Sequence, residues 1–228
     1  MKTPLKIGHR GAKAYASENT IASVIKALNL GVDGIEIDVH KSATGEIVVF
    51  HDFTLDRMTD GSGEIHKLSW DQLRTVKVNG GHKIPKLEDV LDVIDKKCIV
   101  NIELKGKDTA EGAFEIINHY IKAKNWTPDH FLVSSFQISE LKRMSQLIPH
   151  VELAVLSKAS VDSAIEIAKT INARTIHPNY ALLSKSNVQE AQQRGFKVNT
   201  WTVNDIDSIA RIKSYGVNGI ISDNPDYI

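Results

Sequence analysis

Short runs of aliphatic and β-branched residues alternate with helix-patterned stretches along almost the whole chain. This rhythm limits the architecture more than any other feature. Strand-like runs fall at 5–9, 34–39, 99–104, 131–135, 152–156, 175–177, 197–201 and 219–222. Between them lie helical patterns at 19–30, 87–97, 110–124, 139–146, 161–172, 185–194 and 205–215, the first with Asn19 as its expected cap. Such alternation calls for an α/β fold with a parallel sheet. Eight evenly spaced units favour closure into a (β/α)8 TIM barrel over an open doubly wound sheet. The glycine fingerprint that an open nucleotide-binding sheet carries after its first strand is absent. Only residues 223–228 follow the last run, so an eighth outer helix is missing or formed elsewhere.

One further run, 47–50, breaks the pattern. Seven residues with Gly45 among them separate it from the run before, too few for a parallel crossover, so it should return antiparallel as a hairpin. Residues 52–85 are rich in polar side chains and glycine and read as a small insertion at the barrel mouth. The expectation is one domain over residues 1–228 carrying that insertion.

The charge balance, 28 basic against 28 acidic residues, offers no field for nucleic acid or an anionic membrane. An anionic ligand must therefore be held by a few placed cations. The single cysteine, Cys98, opens an apolar strand and fits a small core residue in a reducing compartment. With no apolar run long enough for a leader or a span, the expected setting is cytoplasmic, without stable membrane association.

Alternation along a strand sends every second side chain to one face. In residues 34–40, Ile35, Ile37 and Val39 can face outer helices, leaving Glu36, Asp38 and His40 toward the axis or mouth. Residues 100–105 repeat the arrangement with Asn101, Glu103 and Lys105. Three carboxylates converging at the end of a barrel must be neutralised or find a cation. Oxygen ligands alone suit a hard ion, Mg²⁺ or Ca²⁺, rather than zinc. His9 and His51 each end a strand, where barrel enzymes place catalytic groups, and two imidazoles beside a bound phosphate could act as general base and general acid. Arg10 adjoins His9 at a natural position for a bidentate phosphate contact, and Gly11 lets the backbone bend there. Trp201, ending a strand, can wall a pocket. His40 and His177 also end strands and stay possible site residues.

These residues form an ordered set. His9-Arg10-Gly11, Ser17-Glu18-Asn19-Thr20, Glu36-Ile37-Asp38-Val39 and Val49-Phe50-His51-Asp52 resemble the glycerophosphodiester phosphodiesterase family. Asn101-Ile102-Glu103-Leu104-Lys105, Trp201-Thr202-Val203-Asn204 and the closing Gly219-Ile220-Ile221-Ser222-Asp223 continue the likeness over essentially the whole chain. The resemblance implies a barrel with an insertion after His51 and one divalent cation on Glu36, Asp38 and Glu103. It implies His9 and His51 as the acid/base pair and Arg10 and Lys105 as phosphate contacts. Glu18 falls on a glutamate of the motif for which a metal or supporting role is implied, and Asn101 is grouped with it. The implied reaction is hydrolysis of a small glycerophosphodiester to sn-glycerol 3-phosphate and an alcohol. A lipid-directed relative and a barrel that binds such diesters without cleaving them are the alternatives. One departure is visible: Ser17 stands where the family usually has proline, a change expected to affect loop rigidity more than chemistry.

Overall fold

A computed structural model describes residues 3–228. Eleven strands and eight helices appear among them. They run β1 Leu5–Gly8, α1 Ile21–Asn29, β2 Gly34–Lys41, β3 Ile47–Val49, α2 Trp70–Leu73, β4 Lys77–Val78, β5 His82–Lys83 and α3 Leu87–Ile94. There follow β6 Ile99–Leu104, α4 Ala110–Ala123, β7 Phe131–Ser135, α5 Ile138–Leu147, β8 Glu152–Ser157 and α6 Val161–Thr170. The chain closes with β9 Thr175–Pro178, α7 Lys185–Gln193, β10 Lys197–Thr200, α8 Ile206–Tyr215 and β11 Gly219–Ser222.

Parallel pairing runs β1-β11-β10-β9-β8-β7-β6-β2, and β1 pairs with β2 to close the ring of eight. The fold is a (β/α)8 barrel. β3 lies outside the ring, antiparallel to β2 with Val39 opposite Val49, as the short connection requires.

The main core lies between barrel and helices. Ile35, Ile37 and Val39 of β2 and Val100, Ile102 and Leu104 of β6 are buried there with Val90, Leu91 and Ile94 of α3. That leaves the alternate residues of both strands for the interior, and register sets Glu36 beside Asn101 and Asp38 beside Glu103.

Two sequence expectations are modified and a third holds. The cap of α1 is Thr20, whose side chain accepts from the Ser23 amide in a capping box, while Asn19 turns its amide to Asp38. No eighth outer helix follows β11; a 3₁₀ turn over Pro225–Tyr227 closes the described chain. The insertion is more ordered than its polar composition suggests. Leu55, Ile65, Leu73, Val78 and Ile84 bury themselves with Val48 and Phe50 in a second small core, and β4 pairs with β5. None of the described helices is long and apolar enough to cross a membrane.

Candidate active site

The first loop is shaped by two close approaches. A side chain at Gly8 would sit 2.4 Å from the Gly11 carbonyl oxygen, and one at Gly11 (φ 84°) would meet Ser23 at 2.5 Å. Arg10 itself is left-handed (φ 52°). This tight turn aims the Arg10 amide at Glu36 Oε2, 2.8 Å away.

Glu36, Asp38 and Glu103 converge, with ligand oxygens within 4.8 Å of one another, all three buried. Asn19 donates to Asp38 Oδ2 at 2.8 Å and accepts from the Asp38 amide at 3.2 Å, locking that carboxylate. Lys105 Nζ lies 2.7 Å from Glu103 and 3.2 Å from Asp38, and Arg10 Nε lies 3.4 Å from Asp38. The electrostatics follow from burial and charge. Burial opposes ionising Asp38, yet Lys105 and Arg10 hold its pKa below the ordinary carboxylate range. Burial, then the charges of Asp38 and Glu103, push Glu36 well up; burial and Asp38 push Glu103 to about 7. Carboxylates that resist ionising together in a buried, oxygen-only cluster fit a hard divalent cation, whose charge would remove that conflict.

Both histidines are oriented through Nδ1. His9 Nδ1 donates to Asp223 at 2.5 Å, and Asp223 is held in turn by the Asn204 amide and by its own N–H to Asn204 Oδ1. His51 Nδ1 donates to Asp52 at 2.6 Å, and Arg57 grips both oxygens of Asp52. This leaves each Nε2 on the pocket side, where that of His9 accepts from Arg10 Nε at 3.3 Å. Burial lowers both imidazoles below 6.5, against the pull of Asp223 on His9 and of Asp38 on His51. Glu18 stands among cations, accepting from Arg10 and Arg57 at 2.7 Å each.

A pocket of about 250 Å³ opens between these groups. His9, Arg10, Glu36, His51, Glu103 and Lys105 line its polar half, and Asn101 reaches it from below. Trp201 forms part of the other wall, edge-on to Phe136 with centroids 5.6 Å apart and Nε1 donating to the His177 carbonyl. Lys158 sits over both rings. Two histidines stand apart. His40 bonds the His51 carbonyl through Nε2, supporting that loop, and His177 lies buried in the barrel interior.

Several contributors escaped the sequence reading. Asp52 and Asp223 sat within quoted motifs without a role; their position beside a strand-end histidine was the available signal. Asn204 likewise sat in a quoted motif without a role, whereas Arg57, Phe136 and Lys158 carried no signal, since each reaches the site from a different loop. Ser17 ties the first loop to the insertion, its hydroxyl donating to the Asn79 carbonyl.

Cations able to grip a phosphate, an acidic cradle for a metal ion and two oriented imidazoles share one pocket, which defines the class as a barrel hydrolase of phosphate esters. The profile of the glycerophosphoryl diester phosphodiesterase family matches residues 9–227. A glycerophosphodiester phosphodiesterase from Caldanaerobacter subterraneus subsp. tengcongensis is 33% identical over 235 residues, 99% of this chain and 96% of that one. One from Bacillus altitudinis is 33% identical, with coverage of 96% and 94%. The solved structure of an Oleispira antarctica phosphodiesterase, in complex with the product sn-glycerol-3-phosphate, superposes with a TM-score of 0.91. It is 28% identical and covers 98% of this chain and 94% of its own. The chain belongs to the glycerophosphoryl diester phosphodiesterase family and is a phosphodiesterase.

Proposed function

We propose that the protein hydrolyses glycerophosphodiesters to sn-glycerol 3-phosphate and an alcohol. His9 and His51 are its acid/base pair, and Glu36, Asp38 and Glu103 hold one divalent cation, Mg²⁺ or Ca²⁺. The observation that carries this reading is that two imidazoles, each fixed through Nδ1 by its own carboxylate, line the same pocket as Glu36 and Glu103 of the acidic triad. The cation supplies balancing charge to the phosphoryl oxygens.

Arg10 and Lys105 bring two further cations to the same oxygens and strengthen their hold as negative charge builds. One imidazole takes a proton from the nucleophile through Nε2; the other returns one to the leaving alkoxide, and the paired carboxylates stabilise whichever ring is charged. Trp201 lies against the carbon skeleton of the ligand, and Glu18 and Asn101 support the groups that touch it. The head group meets residues 52–85, the insertion that follows His51. Balanced charge and a buried thiol at Cys98 support action as one domain, residues 1–228, on a small dissolved substrate in the cytoplasm.

The test is release of glycerol 3-phosphate from glycerophosphocholine and glycerophosphoethanolamine with Mg²⁺, with Ca²⁺ and with EDTA. Release abolished by EDTA and restored by one ion is expected. Folded protein that releases none with either ion sinks the reading. Attack by the substrate's own 2-hydroxyl leaves a transient cyclic phosphate that attack by water does not, and early-time phosphorus NMR separates the two routes.

A further inference from the structure

The barrel interior below the active site is built unlike the filled core usual for this fold. Barrel interiors are ordinarily packed with layers of bulky branched side chains. Here register turns several small or polar residues inward beside Ile7, Ile99 and Leu132. Gly34 shares a face with Glu36, Ser134 lies beside Glu103, and Ala154 lies beside Ser134. Asn199 lies beside Gly219, where a side chain would come within 2.6 Å of Asn199 Oδ1. The glycine leaves room for that amide.

A cavity of about 960 Å³ enters from the base of the barrel, past Leu5, Glu152 and Lys197 at the strand starts, and reaches Asn101 and Asn199. Asn101 also lines the active-site pocket above, so one residue is a wall of both spaces.

Four buried polar atoms along this line have no hydrogen-bond partner among the described residues: Asn101 Oδ1, Ser134 Oγ, His177 Nδ1 and Asn199 Oδ1. A buried polar group left unsatisfied is destabilising, so each calls for a partner. Their chemistry is mixed. The Asn199 side-chain NH₂ donates to His177 Nε2 at 3.1 Å, which leaves the proton on Nδ1 and makes that atom a donor. The two amide oxygens accept, and the serine hydroxyl does either. An anion would need donors alone and a metal ion acceptors alone. Donors and acceptors together, spaced along a polar cavity, match water.

We infer that the barrel interior binds a file of ordered water that joins the base cavity to the active site past Asn101, giving solvent a route that does not use the mouth. A route from below supplies water while a substrate fills the pocket above, a need that rests on the hydrolytic reading.

The first test is a high-resolution crystal structure of the full chain with glycerol 3-phosphate soaked in. Density within hydrogen-bond distance of Asn199 Oδ1, His177 Nδ1 and Asn101 Oδ1 is expected, and a dry interior overturns the inference whether or not the protein is active. The second compares two variants. Asn199→Leu fills the file with an apolar side chain of similar size, and Asn199→Ala widens it. The leucine variant is expected to lose roughly tenfold in kcat with KM unchanged, while the alanine variant keeps kcat. A merely structural role for Asn199 predicts loss in both. Equal kcat in all three proteins, with their fold confirmed by circular dichroism, overturns the route. A wild type that hydrolyses no glycerophosphodiester fails the functional reading instead, and leaves the density to decide the hydration.

Discussion

His9 and Asp223 lie 214 residues apart in sequence and meet at 2.5 Å across the seam where β1 pairs with β11. Barrel closure therefore completes the histidine: the imidazole comes from the first strand and its carboxylate from the end of the last. Asp223→Asn keeps the shape but presents an amide where a carboxylate stood, so Nδ1 no longer has an anionic acceptor. A loss of about 10²-fold in kcat is expected, with KM changed far less. Steady-state kinetics on glycerophosphocholine reads both, and unaltered kcat would remove Asp223 from the mechanism.

Arg57 does for His51 what the Asn204 side chain does for His9. It reaches from the insertion to hold Asp52 through both oxygens and ends on Glu18. Burial works against the Asp52 charge, but Arg57 and His51 hold its pKa at about 2. Arg57→Ala should free the His51–Asp52 pair to move and lower kcat by about tenfold, while the fold persists because the arginine is half exposed. Arg57→Lys, which cannot grip both oxygens, should recover little of it. Full recovery by lysine would mean that charge alone matters there.

The acidic triad gives a pH dependence with a definite sign. Burial and neighbouring carboxylates raise Glu36, and they raise Glu103 to about 7. A cation binds only the deprotonated ligands, so protons compete with it below that value. Affinity for Ca²⁺ or Mg²⁺ should fall as pH drops through 7, by roughly tenfold per unit for each carboxylate that must release a proton. Calorimetric titration of EDTA-stripped protein at pH 6, 7 and 8 measures it. Glu103→Gln should weaken binding and flatten the dependence; affinity independent of pH in the wild type would place the cation elsewhere.

How much of this was readable depends on the distance over which each signal acts. Strand alternation is local, so the inward set Glu36, Asp38, Asn101 and Glu103 could be read from residues 34–40 and 99–105 before any folding was considered. The antiparallel return of β3 followed from loop length alone. The groups that orient the machinery could not be read this way. Asp223 reaches His9, Arg57 reaches Glu18 and Asn19 reaches Asp38 only because the barrel closes and the insertion folds back. Asn19 shows the conflict directly. Local pattern assigns it to the helix cap, but a buried carboxylate needs a donor more than a helix that Thr20 can cap. The second core of the insertion was hidden for a different reason: its apolar residues are spaced by turns, with no helix or strand period to reveal them.

The loop that carries His9 and Arg10 leaves no room for error at Gly8. A methyl group there would lie 2.4 Å from the Gly11 carbonyl oxygen, a backbone atom that cannot swing aside. Gly8→Ala must therefore push the turn outward and draw the Arg10 amide off Glu36. A loss of about 2–4 kcal/mol in stability is expected, together with most of the activity. Gly195→Ala is the contrast. Gly195 also has positive φ (87°), but its added methyl meets nothing within 4 Å. It should cost only the backbone strain, about 1 kcal/mol, and leave kcat intact. Urea unfolding and kinetics on the two variants separate a turn that shapes the site from one that merely ends a helix. Equal losses of activity in both would show that the close approach at Gly8 does not govern the position of Arg10.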